Sequence, residues 1–358
     1  MKKFISISIL CFLVSGLNAQ TQIPRPEHPK PQFKRANWIN LNGEWNFAID
    51  FGESGVERGW YSDPSGFDKT ILVPFCPESE LSGIEHTDFI PAVWYHRTFE
   101  APGSWEDQRV ILHFGGVDYD CRAWVNGKLV GRHYGGGVSF HFDITDALNE
   151  GLNDLVVCAV DDIRSGVQPA GKQSLAWDPV KVGWLTRYTR TTGIWQTVWL
   201  EARPESYFHS VRIVPDLDNN RFILTPRIEN YRQGMKFNAV LISDKGEEVA
   251  SVKKDVASGL SVIIPVKDPR PWSPDDPYLY DLRLELTEGD QVIDEVKSYA
   301  GLRKFHIEGN KFFLNNKPIF LRFVLDQGFY PDGIWTAPTD EALRKDIELA
   351  LAAGFNGA

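Results

Sequence analysis

A mainly β chain is predicted: two successive β-sandwiches, then a strand–loop–helix unit of the parallel α/β type. Three observations carry this. From residue 39 to about residue 203, short runs rich in β-branched residues alternate with Gly-rich turns, and no helical period is sustained. From there to residue 303, about seven further strands follow at the spacing of a second sandwich. Beyond residue 311 the pattern changes to a nearly all-apolar strand, a loop and a one-faced helix.

The chain opens with MKKFISISILCFLVSGLNAQ. Lys2 and Lys3 precede an apolar run from Phe4 to Val14, and Leu17-Asn18-Ala19 resembles a small-residue cleavage site. The run is too short to span a bilayer. It predicts a signal peptide, residues 1–19, cut after Ala19, and a periplasmic or secreted protein. No later stretch is apolar enough to cross a membrane. A leader with four prolines, TQIPRPEHPKPQFKRANW, is expected to lie extended on the surface.

In the first sandwich, RVILHFGG (109–116) and LVVCAVDD (155–162) read as buried strands. CRAWVNGKLVGRH (121–133) reads as a hairpin about Asn126-Gly127, because a type I′ turn needs positive φ at both central residues. VSFHFDIT alternates Phe140, Phe142 and Ile144 on one face. The second unit is immunoglobulin-like in size but lacks the Cys…Trp…Cys core of antibody domains. In the last segment KFFLNNKPIFLRFVL gives a small hairpin and an apolar strand. Thr339 is placed to cap a helix with Asp340 and Glu341 at its positive end, and Gly354 to end it. Leu343, Ile347, Ala350 and Leu351 fall on one face, expected to be buried.

Among 358 residues, 42% are hydrophobic and 24% charged, and the net charge is −10 with no basic stripe, which argues against nucleic acid as a partner. After cleavage three cysteines remain, Cys76, Cys121 and Cys158; they are read as small hydrophobes and not as catalytic thiols. The histidines show no ligand spacing, so neither a metal nor a cofactor is expected. Trp45, Trp124, Trp195 and Trp199 lie in strand patterns and are assigned to the core.

The order of several segments resembles the N-terminal part of glycoside hydrolase family 2, the β-galactosidases, β-glucuronidases and β-mannosidases. They are LNGEWNF (41–47), VPFCPESELSGI (73–84), VWYHRTF (93–99), GGVDYDCRAWVNGKLVG (115–131), RTTGIWQTVWLE (190–201), PWSPDDPYLYDLRLEL (271–286) and GLRKFHIEGNKFFLNNKPIFLR (301–322). The resemblance implies a jelly-roll, galactose-binding-like domain at 20–203, an immunoglobulin-like sandwich at 204–301, and at 302–358 the first βα unit of a (β/α)₈ TIM barrel. It further implies a retaining β-glycosidase with one Glu as acid/base and another as nucleophile, about 5–5.5 Å apart. Both would lie on later strands of a barrel that takes about 250 residues. No catalytic residue is therefore assigned here: Glu308 precedes the first barrel strand, and Glu341 and Glu348 lie on the helix. This chain alone is expected to be inactive.

The same resemblance nominates sugar contacts. Where many relatives read Arg-Gly-Val-Asn-Arg-His-Glu, residues 322–328 read RFVLDQG, so Gln327 stands where β-galactosidases use a His. Asp326 and Gln327 are candidates against ordinary turn chemistry, and Trp335 against loop packing. Asp161 and Asp162 open a loop, 160–173, that in some relatives reaches the barrel with a sugar-contacting Asp; turn hydrogen bonding is the alternative. Arg190 is read as structural, through a salt bridge. The expected partner is a β-linked oligosaccharide or glycoside; the oligomeric state is left open. The competing reading is a non-catalytic carbohydrate-binding or adhesion protein of two sandwiches.

Overall fold

The computed structural model describes residues 23–176 and 187–358; the segment read as a signal peptide, residues 1–19, lies outside the described residues. The first sandwich runs β1 (Trp38–Asn40), β2 (Gly43–Ile49), β3 (Lys69–Val73), β4 (Ala92–Glu100), β5 (Arg109–Phe114), β6 (Val117–Asp118), β7 (Asp120–Val125), β8 (Lys128–Tyr134), β9 (Phe140–Asp143), β10 (Leu152–Val160), β11 (Gly193–Ile194) and β12 (Val198–Arg203). A four-stranded sheet, β1-β12-β5-β9, faces a six-stranded one, β3-β2-β4-β10-β7-β8, and β11 pairs with β6 as a short ribbon. The shared core takes Phe47, Val93, Tyr95, Leu112, Phe114 and Val157, among others, from both sheets.

The β7–β8 hairpin forms about Asn126 (φ 51°) and Gly127 (φ 76°), as their chemistry requires. The Asn126 amide is further held by Ala147 O and Asn153 Oδ1, each at 2.8 Å. Trp45, Trp124 and Trp199 are buried as expected, whereas Trp195 is only half buried. A second apolar layer, not foreseen, covers the outer face of the six-stranded sheet: Trp94 stacks on Trp124 at 5.5 Å, and Trp60 meets Trp94 edge-on. Gly55 is required there, because a Cβ would stand 2.5 Å from the Trp94 ring. This layer buries β4 on both faces, so its sequence does not alternate. Cys76, Cys121 and Cys158 are all buried free thiols, and burial pushes the Cys158 thiol up to about 12.

The second sandwich holds β13 (Tyr207–Asp216), β14 (Arg221–Glu229), β15 (Met235–Ile242), β16 (Glu248–Asp255), β17 (Val262–Pro265), β18 (Tyr280–Glu288) and β19 (Gln291–Ala300). Sheets β13-β14-β17 and β16-β15-β18-β19 enclose Phe208, Phe222, Phe237 and Leu284.

The leader runs along the surface as expected but is anchored in it at two residues. His28 and Arg35 are buried, and Lys34 pairs with Lys297 on β19. The reason is charge pairing at the junction of the two sandwiches. Arg35 donates to both oxygens of Asp294 and to Glu201 Oε1, all at 2.8 Å, and to the Phe208 carbonyl. One side chain thus ties β12, β13 and β19 together, which lets a guanidinium be buried.

Three short strands follow: β20 (Phe305–Glu308), β21 (Lys311–Leu314) and β22 (Lys317–Ile319). Beyond them Phe323 bridges Gly357 in parallel, Asn356 N donates to Arg322 O at 2.9 Å, and Val324 N to Gly357 O. Helix α1 (Asp340–Ala352) crosses between these segments. Thr339 Oγ1 accepts from Ala342 N at 3.1 Å. At the other end Gly354 (φ 87°) and Phe355 donate back to Leu351 and Ala350, a Schellman ending. Thr339→Ala is expected to cost the helix about 1 kcal/mol, measured as faster hydrogen exchange of the α1 amides; unchanged exchange would refute the cap. The apolar face of α1, expected to be buried, is open: Ile347 is 71% and Leu351 66% exposed. Among the described residues no element packs over it.

Candidate functional site

The loop after the parallel segment, residues 325–338, meets the jelly-roll loop 161–176 and the turn 187–197. Contacts between side chains join them at the rim. Lys172 Nζ donates to Gln327 Oε1 at 2.7 Å, and Tyr188 stacks on Phe329 with centroids 4.5 Å apart. Below this seam lies a cavity of about 280 Å³. Its walls include Trp195, Trp335, Asp326, Tyr330 and Arg25. Trp335 stands edge-on to Trp195 at 5.3 Å, and Thr336 Oγ1 donates to Trp195 O. Arg25 pairs with Glu27 and donates to Ala337 O at 2.9 Å. Tyr330 donates to Asp346 Oδ2 at 2.7 Å, and its hydroxyl is pushed up to about 12, first by desolvation and then by that carboxylate.

Of the residues nominated from sequence, Asp326 and Trp335 line this cavity together. Asp326 is exposed; its Oδ1 accepts from Gly328 N, an Asx turn made at Gly328 φ 60°. Gln327 shares the loop but is engaged by Lys172. Asp161 turns inward, 5% exposed, and accepts from Gln168 Nε2 at 2.6 Å and Thr192 Oγ1 at 2.8 Å. Asp162 is exposed, and its carbonyl accepts from the Ser165 amide and hydroxyl. Neither of these two lines the cavity.

What the loop 161–176 rests on was not legible in sequence. Beneath it three carboxyls are buried: Glu78, Asp118 and Asp161. Asp118 Oδ2 accepts from Gln173 Nε2 at 2.7 Å, while Gln173 Oε1 accepts from Thr191 N. Glu78 Oε2 accepts from Thr192 N at 3.1 Å. Burial pushes Glu78 up to about 8, Asp118 to about 7 and Asp161 to about 6, with mutual repulsion adding to the first two. Arg190 is buried, as a structural residue would be; among the described residues no acid forms the expected salt bridge with it, and it donates to the carbonyls of Ser174, Ala176 and Thr87 and lies over Phe89. It thereby ties the end of this loop to the segment at Thr87. Gln173, Lys172 and Tyr188 carry no motif; they matter because residues 155 apart in sequence meet here.

Two carboxylates line the cavity, Glu27 and Asp326; the first is paired with Arg25 and the second caps the turn at Gly328. Glu308 ends β20 beside His306, and Glu341 and Glu348 are exposed on α1. Among the described residues no group of three or more His, Cys, Asp or Glu is placed to hold a metal ion, and no helix is long and apolar enough to cross a membrane.

Comparison with known proteins agrees in order and extent. Residues 39–204 match the model of the glycosyl hydrolases family 2 sugar binding domain, and residues 206–303 match a second glycosyl hydrolases family 2 model. A β-glucuronidase of Paenibacillus borealis is 25% identical over 79% of this chain and 48% of its own length. A β-galactosidase of Thermoanaerobacter pseudethanolicus is 27% identical over 87% of this chain and 40% of its own. The Ruminococcus gnavus β-glucuronidase in complex with D-glucuronic acid superposes with a TM-score of 0.73 at 21% identity, over 93% of this chain and 57% of that one. The chain thus spans half or less of the length of these two relatives.

Proposed function

Because the chain belongs to glycoside hydrolase family 2, we propose that it is the N-terminal part of an exported, retaining β-glycosidase. Residues 39–303 act as ancillary sandwiches, and the segment from Lys311 opens a (β/α)₈ barrel. The acid/base and nucleophile Glu residues lie on later barrel strands, outside residues 1–358. Export rests on the signal-like sequence of residues 1–19.

The observation that carries this reading is the seam. In barrels of this type chemistry sits at the C-terminal ends of the strands. The loop leaving the parallel segment is the one clamped by the jelly roll through Lys172–Gln327 and Tyr188–Phe329. A sandwich that only bound glycans would have no need to grip that loop. In this reading Asp326 and Trp335 meet the substrate from below, and Lys172 and Gln327 set the width of the entrance.

Hydrolysis is the test. The 358-residue chain is expected to release no nitrophenol from nitrophenyl β-glucuronide, β-galactoside or β-mannoside above the buffer rate. Turnover by this chain would overturn the placement of the catalytic carboxylates. A longer form carrying the whole barrel is expected to hydrolyse at least one of the three with retention of configuration, read by NMR of the first-formed anomer. Inversion would sink the mechanism.

A further inference from the structure

A second cavity, of about 430 Å³, opens in the immunoglobulin-like domain and shares no lining residue with the seam. It lies where the two sheets of the sandwich part, between their edge strands β13 and β19, beside the leader residue Gln32. Val211 and Ile213 from β13 and Leu279 from the segment before β18 give it an apolar wall. Gly301 keeps it open: a Cβ there would stand 3.2 Å from Leu279 Cδ2 and 3.3 Å from Trp272 Cβ.

Two groups in this cavity lack the partners their chemistry asks for. Ser298 is 7% exposed, and among the described residues its Oγ has no hydrogen-bond partner. Buried hydroxyls are nearly always satisfied, so an orphan lining a cavity marks a place for an external donor or acceptor. Arg303 lies over the Trp272 ring at 4.8 Å, and among the described residues no carboxylate stands within ion-pair distance of it. An exposed guanidinium fixed on an indole and free of acid offers a bidentate face to a carboxylate.

We propose that this cleft is a binding site for an acidic pyranose, a uronic acid residue of a β-linked glycan. The CH face of the ring packs on Leu279 and Trp272, a ring hydroxyl satisfies Ser298, and the carboxylate meets Arg303. An apolar wall with a few convergent polar groups, at this volume, is the form small-ligand sites take. The choice of a sugar rests on the glycosidase reading; the choice of site does not. The cleft would hold the polymer while the seam addresses the bond to be cut.

The test is calorimetric titration of the 358-residue chain with a tetrasaccharide of β-1,4-linked glucuronic acid, and with cellotetraose as the neutral probe. The acidic probe is expected to bind at least tenfold more tightly. Arg303→Gln is expected to erase that difference, and Trp272→Ala to weaken both probes at least tenfold. Should Trp272→Ala fail to fold, Gly301→Val, which fills the cavity between Leu279 and Trp272, is expected to give the same loss. Leu129→Ala, at an exposed jelly-roll residue that lines neither cavity, is expected to leave both affinities unchanged. Absence of saturable binding of the acidic probe, persistence of its preference over the neutral probe in Arg303→Gln, or undiminished affinity in Gly301→Val would each overturn the site. Failure of the hydrolysis assay would instead remove the glycosidase reading and leave this result standing.

Discussion

Arg35→Ala is expected to destabilise the chain by about 3–5 kcal/mol, the range for breaking a buried ion network by removing one partner. Removing the guanidinium leaves Glu201 and Asp294, 5% and 3% exposed, without their cation. Glu201 already titrates above the usual carboxylate range because it is buried, and Arg35 is the main group holding it down. Asp294 retains only the Phe208 amide, at 2.8 Å. The loss should fall on the junction, because Arg35 is bonded to both sandwiches. Urea unfolding of the variant should therefore separate into two transitions, with proteolysis newly directed at residues 203–206. Adding Glu201→Gln to the variant should return part of the stability, since one stranded charge is then gone. A single transition within 1 kcal/mol of the parent would show that the junction is held by other contacts.

The contribution of Glu78 to stability is also expected to fall as pH rises from about 5 to about 8, while the buried imidazoles of His28 and His113, held below their ordinary value, act in the opposite direction up to about 6.5. Glu78 is held at about 8 in the folded chain against an ordinary value near 4.5. In that window the unfolded chain has lost the proton that the folded chain keeps. Folding then takes up protons, and each step upward in pH favours the unfolded state. Below the ordinary carboxylate range both states are protonated and the effect vanishes; above about 8 it is complete. A displacement of this size corresponds to about 5 kcal/mol, and Asp118 and Asp161 act in the same direction. Glu78→Gln keeps an oxygen for the Thr192 amide and removes the titration. It should raise the urea midpoint at pH 8.5 and leave it nearly unchanged at pH 5. A variant that lost stability equally at both pH values would mean that the carboxylate is needed for packing, and the titration argument would fall.

Legibility in the sequence followed the range of the forces involved. The β7–β8 hairpin was readable because Asn126 and Gly127 decide it within two residues. The ends of α1 were readable for the same reason, at Thr339 and Gly354. The two-sandwich order was readable from spacing, and the family from seven segments in sequence. The anchoring of the leader has no local signal, because nothing near Arg35 reveals its acids, which lie 166 and 259 residues away. Trp195 was assigned to the core because its strand pattern does not record that the sheet ends at the seam. For the site, Asp326 and Trp335 came from the family motif and its loop. Lys172 and Tyr188, which grip that loop, came from neither, since a Lys on a polar turn has the same appearance whether it reaches water or a neighbouring domain.

The junction at Arg35 also dictates an order of assembly. Arg35 is made early, yet its carboxylate partner Asp294 follows 259 residues later. At synthesis rates of about 5–20 residues per second, that is a wait of tens of seconds or less with the leader unattached. The jelly roll must supply Glu201 and the second sandwich Asp294 before the guanidinium can leave water. Closing so long a loop is among the slow, non-local steps of folding. Each sandwich is thus expected to mature alone, and the leader to dock last, sealing two finished domains into one body.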